Sequence, residues 1–168
     1  MMAGLCLADD TGKLFDRQLT GVEKEIVPLV EAMTTEQMNF APATGEFKGA
    51  RTFRVQAMHV AAVLYLVSAS ILGEKVPVDV GANENGPAAI TSKADVVKYL
   101  SEAFVYAHKA MNSLNTQNLT TKVKSPFGDG QTERGSLAIV NVSHVFDHYG
   151  QMAVYARLQG VVPPASRR

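Results

Sequence analysis

Two histidines four residues apart are the first feature of this sequence that could do chemistry. His144 and His148 lie in a run, residues 132–160, whose apolar spacing predicts one helix. At that spacing both imidazoles lie on one helix face, one turn apart. An unpaired imidazole nitrogen in a core costs about 1–3 kcal/mol, so the pair predicts either hydrogen-bond partners or a bound ligand. The same face carries the residues expected to point inward: Leu137, Val140, Gln151, Tyr155 and Leu158.

A third histidine is predicted to lie on the core face of a different helix. His59 is flanked on its own face by Val55, Ala62 and Val63. Three central imidazoles without partners would threaten a large share of a domain's stability, whereas one divalent ion would satisfy all three. Three protein ligands also leave a coordination position open for water or substrate, as catalytic metal sites do. We therefore predict a metal site, and the alternative is a structural cluster in which the histidines bond one another.

Polar residues near the histidines are candidates for orienting a ligand or a bound water. Gln151 and Tyr155 lie one and two turns beyond His148 on the same face. Asp147 is rotated by about 60° from His144 and either bonds its free nitrogen or is solvated. Three arginines are candidates for binding an anionic substrate, although such charges are more often surface charges at helix ends: Arg51, Arg54 and Arg157.

The fourth histidine, His108, is predicted to lie outside the site. Its side chain is rotated by about 80° from the apolar stripe of its own predicted helix. If the second and third helices are parallel, His108 also lies about 13 Å from the level of His59 along the bundle. Helices that alternate up and down would instead bring the two nearly level. We favour the parallel arrangement and expect a histidine at the boundary of the core.

The elements that position these residues are predicted to be helices. The linker of residues 74–91 extends up to about 59 Å, whereas the preceding helix is about 33 Å long. The linker can thus run the length of a bundle and make the second and third helices parallel. No alternating run predicts a strand, and we expect an all-α four-helix bundle with a single domain over 1–168 and an ordered core of about 14–162. Helical spacing covers 14–34, 52–73, 92–115 and 132–160.

Composition excludes several function classes. The chain has 168 residues, of which 46% are hydrophobic, with 16 basic and 16 acidic side chains. A neutral chain without a basic run makes nucleic acid an unfavourable partner. The only cysteine, Cys6, provides neither a disulfide framework nor a zinc site. We find no apolar stretch of the length that spans a bilayer and no good signal peptide, and we expect a cytoplasmic protein with a small-molecule substrate and no membrane partner.

The histidine pattern resembles that of the DinB/YfiT-like proteins. The resemblance is closest in SHVFDHYGQMAVYARLQGVVPPAS (143–166), and it extends to GEFKGARTFRVQAMHVA (45–61) and SPFGDG (125–130). It implies a four-helix bundle in up-down-down-up order, with a long crossover between helices 2 and 3. It also implies that His59, His144 and His148 bind a divalent metal, commonly nickel or zinc, and that the chain forms a homodimer.

The function implied by this resemblance is metal-dependent catalysis. Enzymes of the wider superfamily activate a low-molecular-weight thiol on a metal, so we expect an S-transferase-like or hydrolase-like reaction on an activated thiol or water. The alternative is a non-catalytic bundle that binds a metal or small ligand as a sensor or stress-response protein.

Overall fold

The computed structural model describes residues 9–42 and 49–167. Cys6 and part of the predicted connection before the second helix therefore lie outside the described residues. Within them the chain forms four α-helices, a short hairpin, and single turns of 3₁₀ helix at Gln37–Asn39, Ala82–Glu84 and Pro164–Ser166. The helices are α1 (Thr11–Ala32), α2 (Phe53–Leu72), α3 (Lys93–Asn112) and α4 (Arg134–Leu158). The predicted all-α bundle is confirmed, and α1 begins three residues earlier than the apolar spacing indicated.

Capping residues explain where α2 begins and ends and where α3 begins. The Thr52 hydroxyl accepts a hydrogen bond from the Val55 N–H at 3.2 Å, and the Ser92 hydroxyl accepts from the Asp95 N–H at 3.1 Å. Gly73 ends α2 with φ of 71°, a left-handed conformation that glycine adopts without steric cost. These caps fix both ends of the long crossover.

Contacts at the helix ends give the direction of α3 relative to its neighbours. Lys109, in the last turn of α3, pairs with Glu74, which directly follows the end of α2 (2.7 Å). The two helices are therefore parallel. Lys93, at the start of α3, donates to the backbone carbonyl of Glu31 at the end of α1. Helix α1 is therefore antiparallel to α3.

Helix α4 runs antiparallel to α2 and completes the bundle. Near the end of α2, Ser68 contacts Asn141 in the first half of α4, whereas Gln56 near the start of α2 contacts His148 further along α4. Helices α1 and α2 each pack against both α3 and α4. The order is thus up-down-down-up, as the family resemblance implied, and α2 and α3 are parallel, as the length of the crossover predicted.

Helix α2 is buried by its neighbours along most of its length. It is long and apolar enough, by length and composition, to cross a membrane, which the sequence reading missed. In the fold, however, 78% of that apolar window is buried against the other helices. Its apolar character is accounted for by its place in the centre of the core.

A hairpin between α3 and α4 was not predicted. Strands β1 (Lys122–Lys124) and β2 (Gln131–Glu133) pair antiparallel around the turn-forming sequence at 125–130. Strands of three residues are too short to show an alternating apolar pattern, so the prediction of no strand was wrong. The hairpin leads directly into α4.

Candidate metal centre

Three histidines from two helices converge between α2 and α4. His59 comes from α2, and His144 and His148 come from α4. One ring nitrogen from each lies within 4.8 Å of those of the other two, and the Nε2 atoms of His59 and His144 are 3.3 Å apart. The antiparallel packing of α2 and α4 brings the early part of one helix level with the middle of the other. The structure thus places together the three histidines that the sequence grouped.

Two of the rings are oriented by hydrogen bonds to carbonyl oxygens. The Nδ1 atom of His59 donates to the backbone carbonyl of Glu84 at 2.9 Å. The Nδ1 atom of His148 donates to Oε1 of Gln56 at 2.7 Å, and Gln56 is buried. Because a carbonyl oxygen only accepts, both rings carry hydrogen on Nδ1 and have a lone pair on Nε2. Metal-binding histidines are commonly fixed in this way.

The third ring differs in its contacts. Nδ1 of His144 is buried and has no hydrogen-bond partner among the described residues. The sequence offered Asp147 as a possible partner for the free nitrogen of His144, but this hydrogen bond does not form. The Asp147 side chain is exposed and accepts a hydrogen bond from Nε2 of Gln151 at 3.0 Å instead. Asp147 points outward because it is one position before His148, away from the buried face of α4. Of the two readings of Asp147, the solvated one describes the structure.

Burial keeps the three imidazoles neutral at pH 7. Burial is the main cause that lowers the pKa of each ring, to about 3 for His144 and about 4 for His148. The mutual repulsion of the charged rings and the positive charge of Arg51 lower the pKa values further, while the Glu84 carbonyl opposes the shift at His59 and Asp147 opposes it at His148. Neutral imidazoles are the form that binds a metal.

A polar cleft of about 450 Å³ lies beside the cluster. Gln151 and Tyr155, both proposed from the sequence, line it together with His148. Tyr155 is buried and packs edge-on against Phe40, with ring centres 5.7 Å apart. Leu158, predicted to point inward, is instead 61% exposed, because it is rotated by about 120° around α4 from the fully buried Met152. The other described residues that line it are Gly49, Ala50, Arg51, Gln56, Asn83 and Asn85.

His108 lies elsewhere, between α1 and α3. Its Nδ1 contacts Asp16 at 2.7 Å and its Nε2 contacts Glu23 at 2.9 Å. Both contacts are with carboxylate oxygens that only accept, so both nitrogens carry hydrogen and the ring is charged. The expectation that His108 lies outside the site agrees with this position.

The sequence reading missed two groups that orient the ligands. Gln56 lies three residues before His59 on a mostly apolar helix, so its spacing was a usable signal. The Glu84 carbonyl had no such signal, because its position depends on the conformation of the crossover.

The donor set fits one divalent transition-metal ion. Two nitrogens bound to a tetrahedral ion at about 2.0–2.1 Å lie about 3.3 Å apart, which matches the observed Nε2–Nε2 spacing of 3.3 Å. Two rings carry a lone pair on Nε2, and Nε2 of the third ring, His144, lies beside that of His59. Three neutral imidazoles suit several first-row metals, including zinc and nickel.

Comparisons with known proteins give one family and two similar structures. The family model of the DinB superfamily matches residues 18–152. A DinB-like protein from Bacillus cereus ATCC 10987 has a similar structure, with a TM-score of 0.72 and 19% identity over 90% of this chain and 95% of that one. YfiT from Bacillus subtilis, a probable metal-dependent hydrolase with an unusual four-helix bundle topology, aligns with a TM-score of 0.62 and 16% identity, covering 96% of this chain and 94% of its own. None of the curated proteins compared with the chain matches it.

Proposed function

The chain belongs to the DinB superfamily, and from this membership and its histidine cluster we propose that it is a metal-dependent enzyme. Its His59, His144 and His148 bind one divalent ion, nickel or zinc. The reaction is carried out on a small molecule by an activated water or low-molecular-weight thiol, in a hydrolase-like or S-transferase-like manner. The description of the structurally similar YfiT as a probable metal-dependent hydrolase supports the hydrolytic form.

The observation that carries this proposal is the convergence of three neutral imidazoles with donor atoms within 4.8 Å. A core has no structural need for three such groups. The hydrogen bonds to Gln56 and to the Glu84 carbonyl leave a lone pair on Nε2 of His148 and of His59, and Nε2 of His144 lies 3.3 Å from that of His59. The cleft that reaches His148 gives a small molecule access to the cluster.

The chain's own residues supply orientation and a polar surface. When bound, a divalent ion with an open position acts as a Lewis acid that lowers the pKa of a coordinated thiol or water. Gln56 and the Glu84 carbonyl keep the two rings in the tautomer that presents Nε2. Tyr155 and Gln151, in the cleft wall, are placed to contact a substrate beside the cluster.

Elemental analysis tests the metal site. We expect about one equivalent of transition metal in the parent protein after loading with zinc or nickel, and none in a variant with His59, His144 and His148 changed to Ala. His108→Gln is the matched control, because it removes a histidine outside the cluster and should keep the full equivalent. Circular dichroism checks that each variant is helical. A parent without metal, or a triple variant that retains it, would refute the site.

Turnover assays then distinguish an enzyme from a binding protein. The loaded protein is screened with thiol–electrophile pairs and with hydrolysable esters. Turnover that disappears in the triple variant supports the enzyme. A full equivalent of metal without turnover of either class would instead favour the non-catalytic metal-binding alternative.

A further inference from the structure

Arg51 lines the cleft next to the histidine cluster. It lies two residues before α2 begins and shares the cleft wall with Gln56 and His148. Its Nε donates to Oδ1 of Asn85 at 2.7 Å, and its Nη2 contacts the backbone carbonyl of Asn83 at 3.4 Å. Both partners are neutral, so these bonds orient the guanidinium without cancelling its charge.

The bonding pattern leaves one edge of the guanidinium available. The group has five N–H donors in a fixed fork. The edge formed by Nε and Nη2 faces the crossover, while the end formed by Nη1 and Nη2 keeps donors for another partner. Among the described residues, no ion pair within 4 Å includes Arg51. A fork with two parallel N–H groups matches a carboxylate bidentately.

The charge around the cleft favours an anion. Among the described residues, no carboxylate side chain lines the cleft. Asp147, nearby on α4, accepts a hydrogen bond from Gln151. The positive end of the α2 dipole lies beside Arg51, and the charge of Arg51 contributes to lowering the pKa of all three histidines. Because Arg51 and His148 line the same cleft, the cation is close to the cluster.

We propose that the cleft binds a small molecule that carries a carboxylate, with this group bound end-on by Arg51 while the reacting end of the molecule reaches His59, His144 and His148. This inference rests on the proposed function and specifies its substrate class. The volume of about 450 Å³ suits a small molecule, since such sites typically occupy about 300–1,000 Å³.

The crossover connects the anion site to the metal ligands. Asn83 and Glu84 have φ of 55° and 52°, a conformation that is unfavourable for residues with a side chain and recurs at functional sites. Asn83 and Asn85 contact Arg51, while the carbonyl of Glu84, between them, accepts from His59. One short segment thus orients both the cation and a histidine of the cluster.

Two thiols that differ in one group test the proposal. The protein is loaded with cobalt(II), whose charge-transfer band reports a coordinated thiolate, and titrated with 3-mercaptopropionate and with 3-mercapto-1-propanol. We expect the parent to bind the carboxylate thiol about tenfold more tightly than the neutral one, because of the charge-assisted pair with Arg51. In Arg51→Gln the two affinities should agree within about twofold, with the cobalt stoichiometry and the affinity for the neutral thiol unchanged.

Three further variants separate the charge from its surroundings. Arg54 lies at the same end of α2, but its guanidinium donates to the backbone carbonyl of Ile90. Arg54→Gln therefore removes a cation that does not take part in the proposed site, and the preference for the carboxylate thiol should persist. Asn85→Ala removes the neutral partner of Arg51 but keeps the cation, and it should also retain a preference. Arg51→Lys keeps the charge without the fork and should give an intermediate ratio.

The outcomes separate this inference from the metal proposal. Equal affinities in the parent, a preference that survives Arg51→Gln, or failure of both thiols to bind the cobalt protein would overturn the carboxylate inference. Failure of cobalt itself to bind counts against the metal site. In that case malonate is titrated into the metal-free protein and followed by the Arg side-chain N–H resonances. Saturable binding that Arg51→Gln abolishes supports the anion site, and its absence overturns it.

Discussion

Gln56 determines the orientation of the His148 ring. Its Oε1 accepts from Nδ1 of His148 at 2.7 Å, and both side chains are buried. In Gln56→Leu the Nδ1–H would lose its acceptor where no water replaces it freely, so we expect a loss of about 1–3 kcal/mol in the free energy of unfolding. Metal affinity should fall about 10–100-fold, as it does when the partner of a metal-binding histidine is removed. Urea unfolding and a metal titration measure the two effects.

Two further variants make this test specific. Gln56→Glu keeps an acceptor and should retain metal binding. Gln117→Leu makes the same chemical change at an exposed position and should leave both quantities unchanged. Wild-type metal affinity in Gln56→Leu would show that the hydrogen bond does not orient the ligand.

Residue spacing predicted which histidines meet, because helix geometry fixes which side chains share a face. The prediction for His144 and His148 needed only their four-residue separation, and the prediction for His59 needed only its position in an apolar stripe. Spacing could not predict the partners of their second nitrogens. Whether Asp147 or Gln56 bonds a ring depends on the rotation of α4 against α2, which is a property of tertiary packing.

At the scale of the element, the conformation of the crossover, and not only its length, contributes to stability and to the orientation of His59. Gly86 has φ of 72°, and a Cβ placed there would lie 3.0 Å from Cβ of Met58, which is buried. In Gly86→Ala the left-handed conformation alone costs about 1–2 kcal/mol, and the contact with Met58 adds to it. Because the segment also carries the Glu84 carbonyl that orients His59, we expect metal affinity to fall together with stability. Urea unfolding and a metal titration measure both.

Gly21→Ala is the matched control for this change. Gly21 is exposed inside α1, and a Cβ there meets no other atom of the described residues within 4 Å. The variant should therefore be more stable by about 0.5–1 kcal/mol with unchanged metal affinity. If Gly86→Ala unfolds like the parent and binds metal equally well, the crossover does not fix the position of His59.

The sequence predicted the length and direction of the crossover but not its conformation. Eighteen residues were long enough to connect two parallel helices, which is an argument from reach alone. The positive φ at Asn83 and Glu84 has no counterpart in the local pattern, since neither is glycine. The hairpin was missed for a related reason, because its strands are too short to show periodicity.

For the whole molecule, apolar stripes predicted the four helices and linker reach predicted that the second and third are parallel, while the full up-down-down-up order was implied by the family resemblance. His108 illustrates what such reasoning leaves out. Its position at the edge of the core was predicted, but not its contacts with Asp16 and Glu23, which join α3 to α1. Those contacts make it a charged link between helices that are distant in sequence.

The His108 link gives the bundle a pH-dependent contribution to stability. Burial lowers the pKa of His108, but the hydrogen bonds to Glu23 and Asp16 outweigh it and hold the pKa above its ordinary value. The folded protein therefore binds this proton more tightly than the unfolded chain does. The contribution is fully present below about pH 6.5, the ordinary pKa of histidine, and is lost as the pH rises through the folded-state pKa. His108→Gln should thus destabilise the protein at about pH 6 by roughly 1–2 kcal/mol, a value reduced by partial exposure.

Urea unfolding of the metal-free parent and of His108→Gln between about pH 6 and pH 9 measures this contribution. Groups that titrate equally in both proteins cancel in the difference, so the difference in free energy of unfolding isolates His108. This difference in the free energy of unfolding should be largest near about pH 6 and should decrease steadily toward about pH 9. A difference that stays constant with pH would mean that His108 stabilises α1 against α3 by packing rather than by its charge. Because His108 lies outside the cluster, a separate metal titration should give the same stoichiometry for the variant as for the parent.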